Sequence, residues 1–120
     1  MKLFRSFGFA LNGLKTCFAS ETNFKIHVFL GIIVLLLSAG FAISSVEWMI
    51  VIICMALVIA MEILNTAIEK LCNLVHKEFH PGIKTVKDMA AGAVLISAVA
   101  SLIAGGIIFL PKIILYIKTL

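Results

Sequence analysis

Trp48-Met49-Ile50-Val51-Ile52-Ile53-Cys54-Met55-Ala56-Leu57-Val58-Ile59-Ala60-Met61 runs without a charge into Glu62-Ile63-Leu64-Asn65-Thr66-Ala67-Ile68-Glu69. The first half is apolar enough for the centre of a bilayer. The second half places two carboxylates and a carboxamide on the same helix. An acidic side chain at membrane depth costs about 2.5–3.5 kcal/mol on insertion scales. A helix that only had to sit in lipid would not carry them, so the default reading is a functional site.

The spacing strengthens that reading. With Glu62 at zero on a helical wheel, Asn65 falls near −60°, Glu69 near −20° and Asn73 near +20°, at about 100° per residue. All four share one stripe. Glu62 and Glu69 are separated by roughly 10 Å along the axis at 1.5 Å per residue, too far to hold one ion together. The pattern suits two tasks at two depths, with Glu69 near the interface and Glu62 deeper, at the level of a lipid headgroup.

Working outward, 62% of the 120 residues are hydrophobic and the mean hydropathy is +1.19, well above the roughly 45–50% apolar share of soluble domains. Residues 89–110 form a 22-residue run with no Asp, Glu, Lys or Arg, and residues 26–43 an 18-residue run. These lengths predict an all-α membrane protein with three transmembrane helices, over 24–43, 47–75 and 88–110. Residues 1–120 are expected to form a single integral-membrane domain, with no room for a soluble catalytic domain. Residues 2–19 are predicted to form an amphipathic surface helix, because Phe4, Phe7, Leu11, Leu14 and Phe18 recur at spacings of three and four. Ser20 or Thr22 is expected to cap the next helix, and Pro81-Gly82 to break the chain within a 76–82 loop. In the third span, Ala90, Ala93, Ser97, Ala100 and Ala104 form a small-residue seam suited to close helix packing. No secretory signal pattern is present.

The net charge is +4, and its placement carries more information than its sum. Lys2, Arg5, Lys15 and Lys25 precede the first span; Lys70, Lys77, Lys84 and Lys87 cluster before the third; the 44–47 turn has no Lys or Arg. By the positive-inside rule the N-terminus and the 76–87 segment are expected in the cytoplasm. Nucleic-acid binding is excluded as the meaning of these charges. Cys17, Cys54 and Cys72 show neither disulfide nor metal spacing and read as small apolar packing residues.

Three functions compete on the residues alone. Glu62 could couple a proton or cation in a small transporter, the stripe could be a polar assembly seam, or the site could be catalytic. Glu21, Glu78, Lys87 and Asp88 should lie at the same surface as Glu69. Carboxylates with few other ligands suit Mg²⁺, which keeps waters and bridges phosphates. His76-x3-His80 would bind a transition metal only in a helical loop, which Pro81-Gly82 opposes. No glycine-rich phosphate loop is present. Three spans also offer too little polar surface to enclose both a nucleotide and a lipid headgroup, which points to a site shared between subunits.

Glu62-x-x-Asn65-Thr66-Ala67-Ile68-Glu69, followed by Lys87-Asp88-Met89 and Ala93-Val94-Leu95-Ile96, resembles the small prokaryotic diacylglycerol kinase and undecaprenol kinase family. Gly13-Leu14 and Glu21 with Phe24-Lys25 fit its N-terminal part, so the resemblance covers nearly the whole chain. It implies a homotrimer in the bacterial cytoplasmic (inner) membrane that transfers the ATP γ-phosphoryl group to a lipid alcohol, either diacylglycerol or undecaprenol. It further implies Glu62 as general base and Asn65 as the residue orienting the reacting groups. Glu21 and Glu69 would hold Mg²⁺ with ATP. Glu78, Phe79 and His80 would touch the nucleotide, and Lys87 and Asp88 would contact its phosphates and ribose side. Asn73 stands where many members have Asp, and Leu11 and Ala91 stand where enterobacterial diacylglycerol kinases have Trp and Ser. The run from Glu21 to His27 looks more like the undecaprenol kinase branch.

Overall fold

Lipid does not reward burying apolar side chains against each other as water does, and this chain is built accordingly. The computed structural model describes residues 1–120, and only 14 of them are buried. Four helices and no strands make up the fold: α1 (Lys2–Ser20), α2 (Thr22–Gly40), α3 (Ser45–Val75) and α4 (Pro81–Lys118). α2, α3 and α4 are each long and apolar enough to cross a membrane.

α1 is the expected amphipathic helix. Its stripe of Phe4, Phe7, Leu11, Leu14 and Phe18 is exposed along its length, free to face lipid, and Cys17 is its one buried residue. Glu21, in extended conformation, is the joint to α2 and occupies the N-cap position without a side-chain cap bond. Neither Ser20 nor Thr22 is that cap. Ser20 ends α1, and its hydroxyl is spent on the Thr16 carbonyl at 2.8 Å. The Glu21 carboxylate is thereby left to turn toward α3.

The α2–α3 turn closes as a Schellman motif. Ile43 N–H bonds to Ser38 O and Ala42 N–H to Ala39 O, with Ala42 in the left-handed region at φ 48°. The motif's following residue, Ile43, packs into a cluster with Val51, Ile108 and Phe109. α3 then opens with a capping box between Ser44 and Glu47. The second Glu47 oxygen accepts from Lys112 Nζ at 2.8 Å, tying α4 to this turn.

α4 is longer at both ends than the 88–110 span expected. Pro81 does not end a loop; it starts the helix, at a position where its missing N–H costs nothing. His80 is the N-cap, its Nδ1 accepting from Gly82 N–H at 3.0 Å. The helix also passes through Pro111 to Lys118. With 38 residues it is about 57 Å long at 1.5 Å per residue, so its ends extend beyond a hydrocarbon core of roughly 30 Å.

α3 packs against both α2 and α4, whose backbones do not approach each other closely. The α3–α4 seam uses Ala90 and Ser97, both buried, and Ser101, whose hydroxyl reaches Cys54 O at 3.4 Å. Ala93 and Ala100, expected on that seam, are exposed. The apolar cluster thus lies at the 41–44 end of the bundle, and the polar residues gather toward the 76–80 end.

Candidate active site

The register of α2 against α3 decides what Glu62 meets. Gly31 of α2 is buried against Met55 so closely that an added Cβ would lie 2.8 Å from the Met55 methyl. One turn back on α2, His27 comes level with Glu62, and its Nε2 lies 3.2 Å from Glu62 Oε1. Glu62 is only 4% exposed, the one buried carboxylate of the chain. An acid carried this far into an apolar helix needs a partner, and His27 is that partner. The sequence pattern alone gives His27 no role.

Further along the stripe, Asn65 Nδ2 lies 3.4 Å from Glu69 Oε1 and donates to it. That orientation follows from chemistry, since an ionised carboxylate only accepts. It leaves Asn65 Oδ1 buried with no donor. A buried acceptor left open is uncommon and fits a site that awaits a hydroxyl or water.

Glu21 approaches from the α1–α2 joint, its carboxylate 3.8 Å from Lys70 Nζ. Lys70 follows Glu69 in α3, so Glu21 reaches a side chain of the helical turn that carries Glu69. No three His, Cys, Asp or Glu side chains converge as a protein-only cation site. Two carboxylates with open positions is nonetheless the donor chemistry that Mg²⁺ takes when substrate phosphates complete its shell.

Lys87 is half-buried and donates to Asn73 Oδ1 at 2.7 Å, across the α3–α4 junction. Asn73 therefore has a definite place: it tethers Lys87 at the foot of the Glu62 stripe. Asp88 faces away to Lys84 at 2.6 Å, one turn earlier on α4. In the loop, Glu78, Phe79 and His80 are all exposed. His76 Nδ1 lies 2.8 Å from Glu78 O, and the His80 ring nitrogen caps α4. These histidines shape the loop. The single chain brings neither Phe79 nor Asp88 to Glu62.

Beside this set, a mostly apolar cleft of about 680 Å³ runs between α2 and α4 over α3, and its wall holds His27 but no Asp, Glu, Lys or Arg. A separate hollow of about 830 Å³ beside Ile103–Lys118 lies near the opposite end of α4, away from Glu62, and its only charged group is Lys118.

The chain has relatives in sequence. The chain is 39% identical to the undecaprenol kinase of Bacillus subtilis over 112 residues, covering 93% of this chain and 91% of that protein. It is 37% identical over 109 residues to the diacylglycerol kinase of Synechocystis sp., covering 90% of this chain and 62% of that longer protein. It is 33% identical over 98 residues to the diacylglycerol kinase of Helicobacter pylori, covering 82% and 77%. The family model for prokaryotic diacylglycerol kinase matches residues 8–109, which include Glu21, His27, Glu62, Asn65, Glu69 and Lys87. The chain belongs to the prokaryotic diacylglycerol kinase family.

Proposed function

We propose that this protein phosphorylates a membrane lipid alcohol with ATP. The observation that carries the reading is Glu62, a carboxylate held almost out of solvent on the same helical stripe as Asn65 and Glu69. The transporter reading of Glu62 has no support in a family of kinases. The full-length match to an undecaprenol kinase favours a polyprenol as acceptor over diacylglycerol.

The chemistry follows from the residues. Glu62 takes the proton of the lipid hydroxyl as its oxygen bonds to the γ-phosphorus. The bond from that phosphorus to the β–γ bridging oxygen breaks, and ADP leaves. Asn65 Oδ1, open in this structure, orients a reacting hydroxyl. Glu21 and Glu69 are the residues to hold Mg²⁺ at the nucleotide; when bound, the ion neutralises phosphate charge. Lys87, fixed by Asn73, adds positive charge beside the phosphates. Phosphoryl transfer depends chiefly on such positioning and charge stabilisation. Glu78, Phe79, His80 and Asp88 complete the nucleotide side only if a second subunit approaches, which accords with a homotrimer sharing its sites. The lysine pattern supports a cytoplasmic nucleotide side.

The test is direct. Purified protein with Mg-ATP and either undecaprenol or diacylglycerol should yield the phosphorylated lipid by mass spectrometry. ATP turnover with no phosphorylated lipid from any alcohol would end the proposal.

A further inference from the structure

Glu62 has two oxygens and one charged or chargeable neighbour. His27 Nε2 stands 3.2 Å from Oε1, and no Lys or Arg pairs with this carboxylate. Asn65, a turn further along the stripe, is engaged with Glu69 instead. The His27 side chain is 24% exposed where that of Glu62 is 6%, and its ring forms part of the wall of the apolar cleft. The ring thus stands between the carboxylate and the cleft. The buried Gly31, against Met55, gives α2 and α3 the close approach that brings the ring within reach.

We propose that His27 is a positioning residue for Glu62. Its Nε2 fixes Oε1 and so sets the carboxylate rotamer, leaving Oε2 to receive the proton of the acceptor hydroxyl. A base that swings by an ångström loses most of its advantage. This role rests on the reading of Glu62 as the base.

A buried pair can also be purely structural, so the experiment separates the two. Purified parent, H27L, H27Q, H27N, E62Q and H27L/E62Q proteins are compared in phosphatidylcholine vesicles with the lipid alcohol the parent phosphorylates. Gln can place a donor near the Nε2 position; Asn cannot reach it. H27L should lower kcat by about 10- to 100-fold with KM for ATP within about twofold of the parent. H27Q should restore kcat to within about threefold, and H27N should not. H27L/E62Q should be no slower than E62Q, because His27 acts through Glu62. If H27L does not fold, H27Q against H27N decides the matter. Parent-like kcat in H27L or H27N overturns the proposal, as does an H27Q protein that folds but stays slow, or an H27L change that slows E62Q further. A parent that phosphorylates no lipid overturns the kinase reading; an active parent beside a fully active H27L overturns this inference alone.

Discussion

Lys87 Nζ donates to Asn73 Oδ1 over 2.7 Å, joining the start of α4 to the last turn of α3. A hydrogen bond to a charged group contributes about 1.5–3 kcal/mol when sheltered and less when exposed. Asn73→Ala should free Lys87 and raise KM for ATP by about threefold to tenfold. Asn73→Asp, which keeps the acceptor, should stay near the parent. Initial rates over a range of Mg-ATP concentrations check this, and an unchanged KM in Asn73→Ala removes the tether from nucleotide binding.

Glu62→Gln should cut turnover by about 10²-fold or more, the range of general-base loss. ATP binding should persist, since Glu62 lies a helical turn and more from Glu69 and the nucleotide groups. Binding of a fluorescent ATP analogue and lipid phosphorylation, measured on the same preparation, separate the two effects. Near-normal turnover in a folded Glu62→Gln protein excludes the role.

Glu21→Gln and Glu69→Gln should each raise the Mg²⁺ concentration needed for half-maximal rate and weaken nucleotide binding together, because the ion bridges carboxylate and phosphate. Glu21→Gln also releases Lys70 from its ion pair. That pair is partly exposed and contributes little to stability, so the variant should fold normally. Identical Mg²⁺ titrations for both variants and the parent contradict the assignment.

Ala42 sits at φ 48° in the turn after α2. An L-residue in the left-handed region costs about 1–2 kcal/mol, most of which glycine avoids. Ala42→Gly should therefore stabilise the protein by about 1 kcal/mol, raising the midpoint of thermal unfolding in detergent with no loss of activity. A lowered midpoint would show that Ala42 is not strained.

The residues just tested differ in how far they could be read beforehand. The Glu62, Asn65, Glu69 and Asn73 stripe is local periodicity, and a helix of known pitch fixes it. The three spans follow equally from length and hydropathy. The ends of α4 did not follow. Pro81-Gly82 read as a breaker and the third span as 88–110, yet Pro81 stands where helices start and the helix passes through Pro111 to Lys118. Ala42 occupies a position where glycine would have announced the turn. The pairing of His27 with Glu62 and of Lys87 with Asn73 needed the register between helices, which no single-segment pattern carries. One clue was available: α2 and the apolar half of α3 hold few ionisable groups, and an acid at membrane depth calls for a partner.

The exposed nucleotide-side residues lead to the final prediction. Glu78, Phe79 and His80 face outward, the cleft beside Glu62 holds no Asp, Glu, Lys or Arg, and the α1 stripe is bare. A single chain does not enclose both substrates. If α1 and Glu21 of one subunit cover the Glu62 stripe of the next in a cyclic trimer, each site needs both residues from different chains. Mixing Glu21→Gln and Glu62→Gln subunits, at a Mg²⁺ concentration where neither variant alone is active, then leaves one intact site in every mixed trimer. With random assembly from equal amounts, about a quarter of parent activity should return. If mixtures shown by cross-linking to have co-assembled are no more active than either variant alone, Glu21 and Glu62 act within one chain. The outward-facing loop residues would then need another explanation.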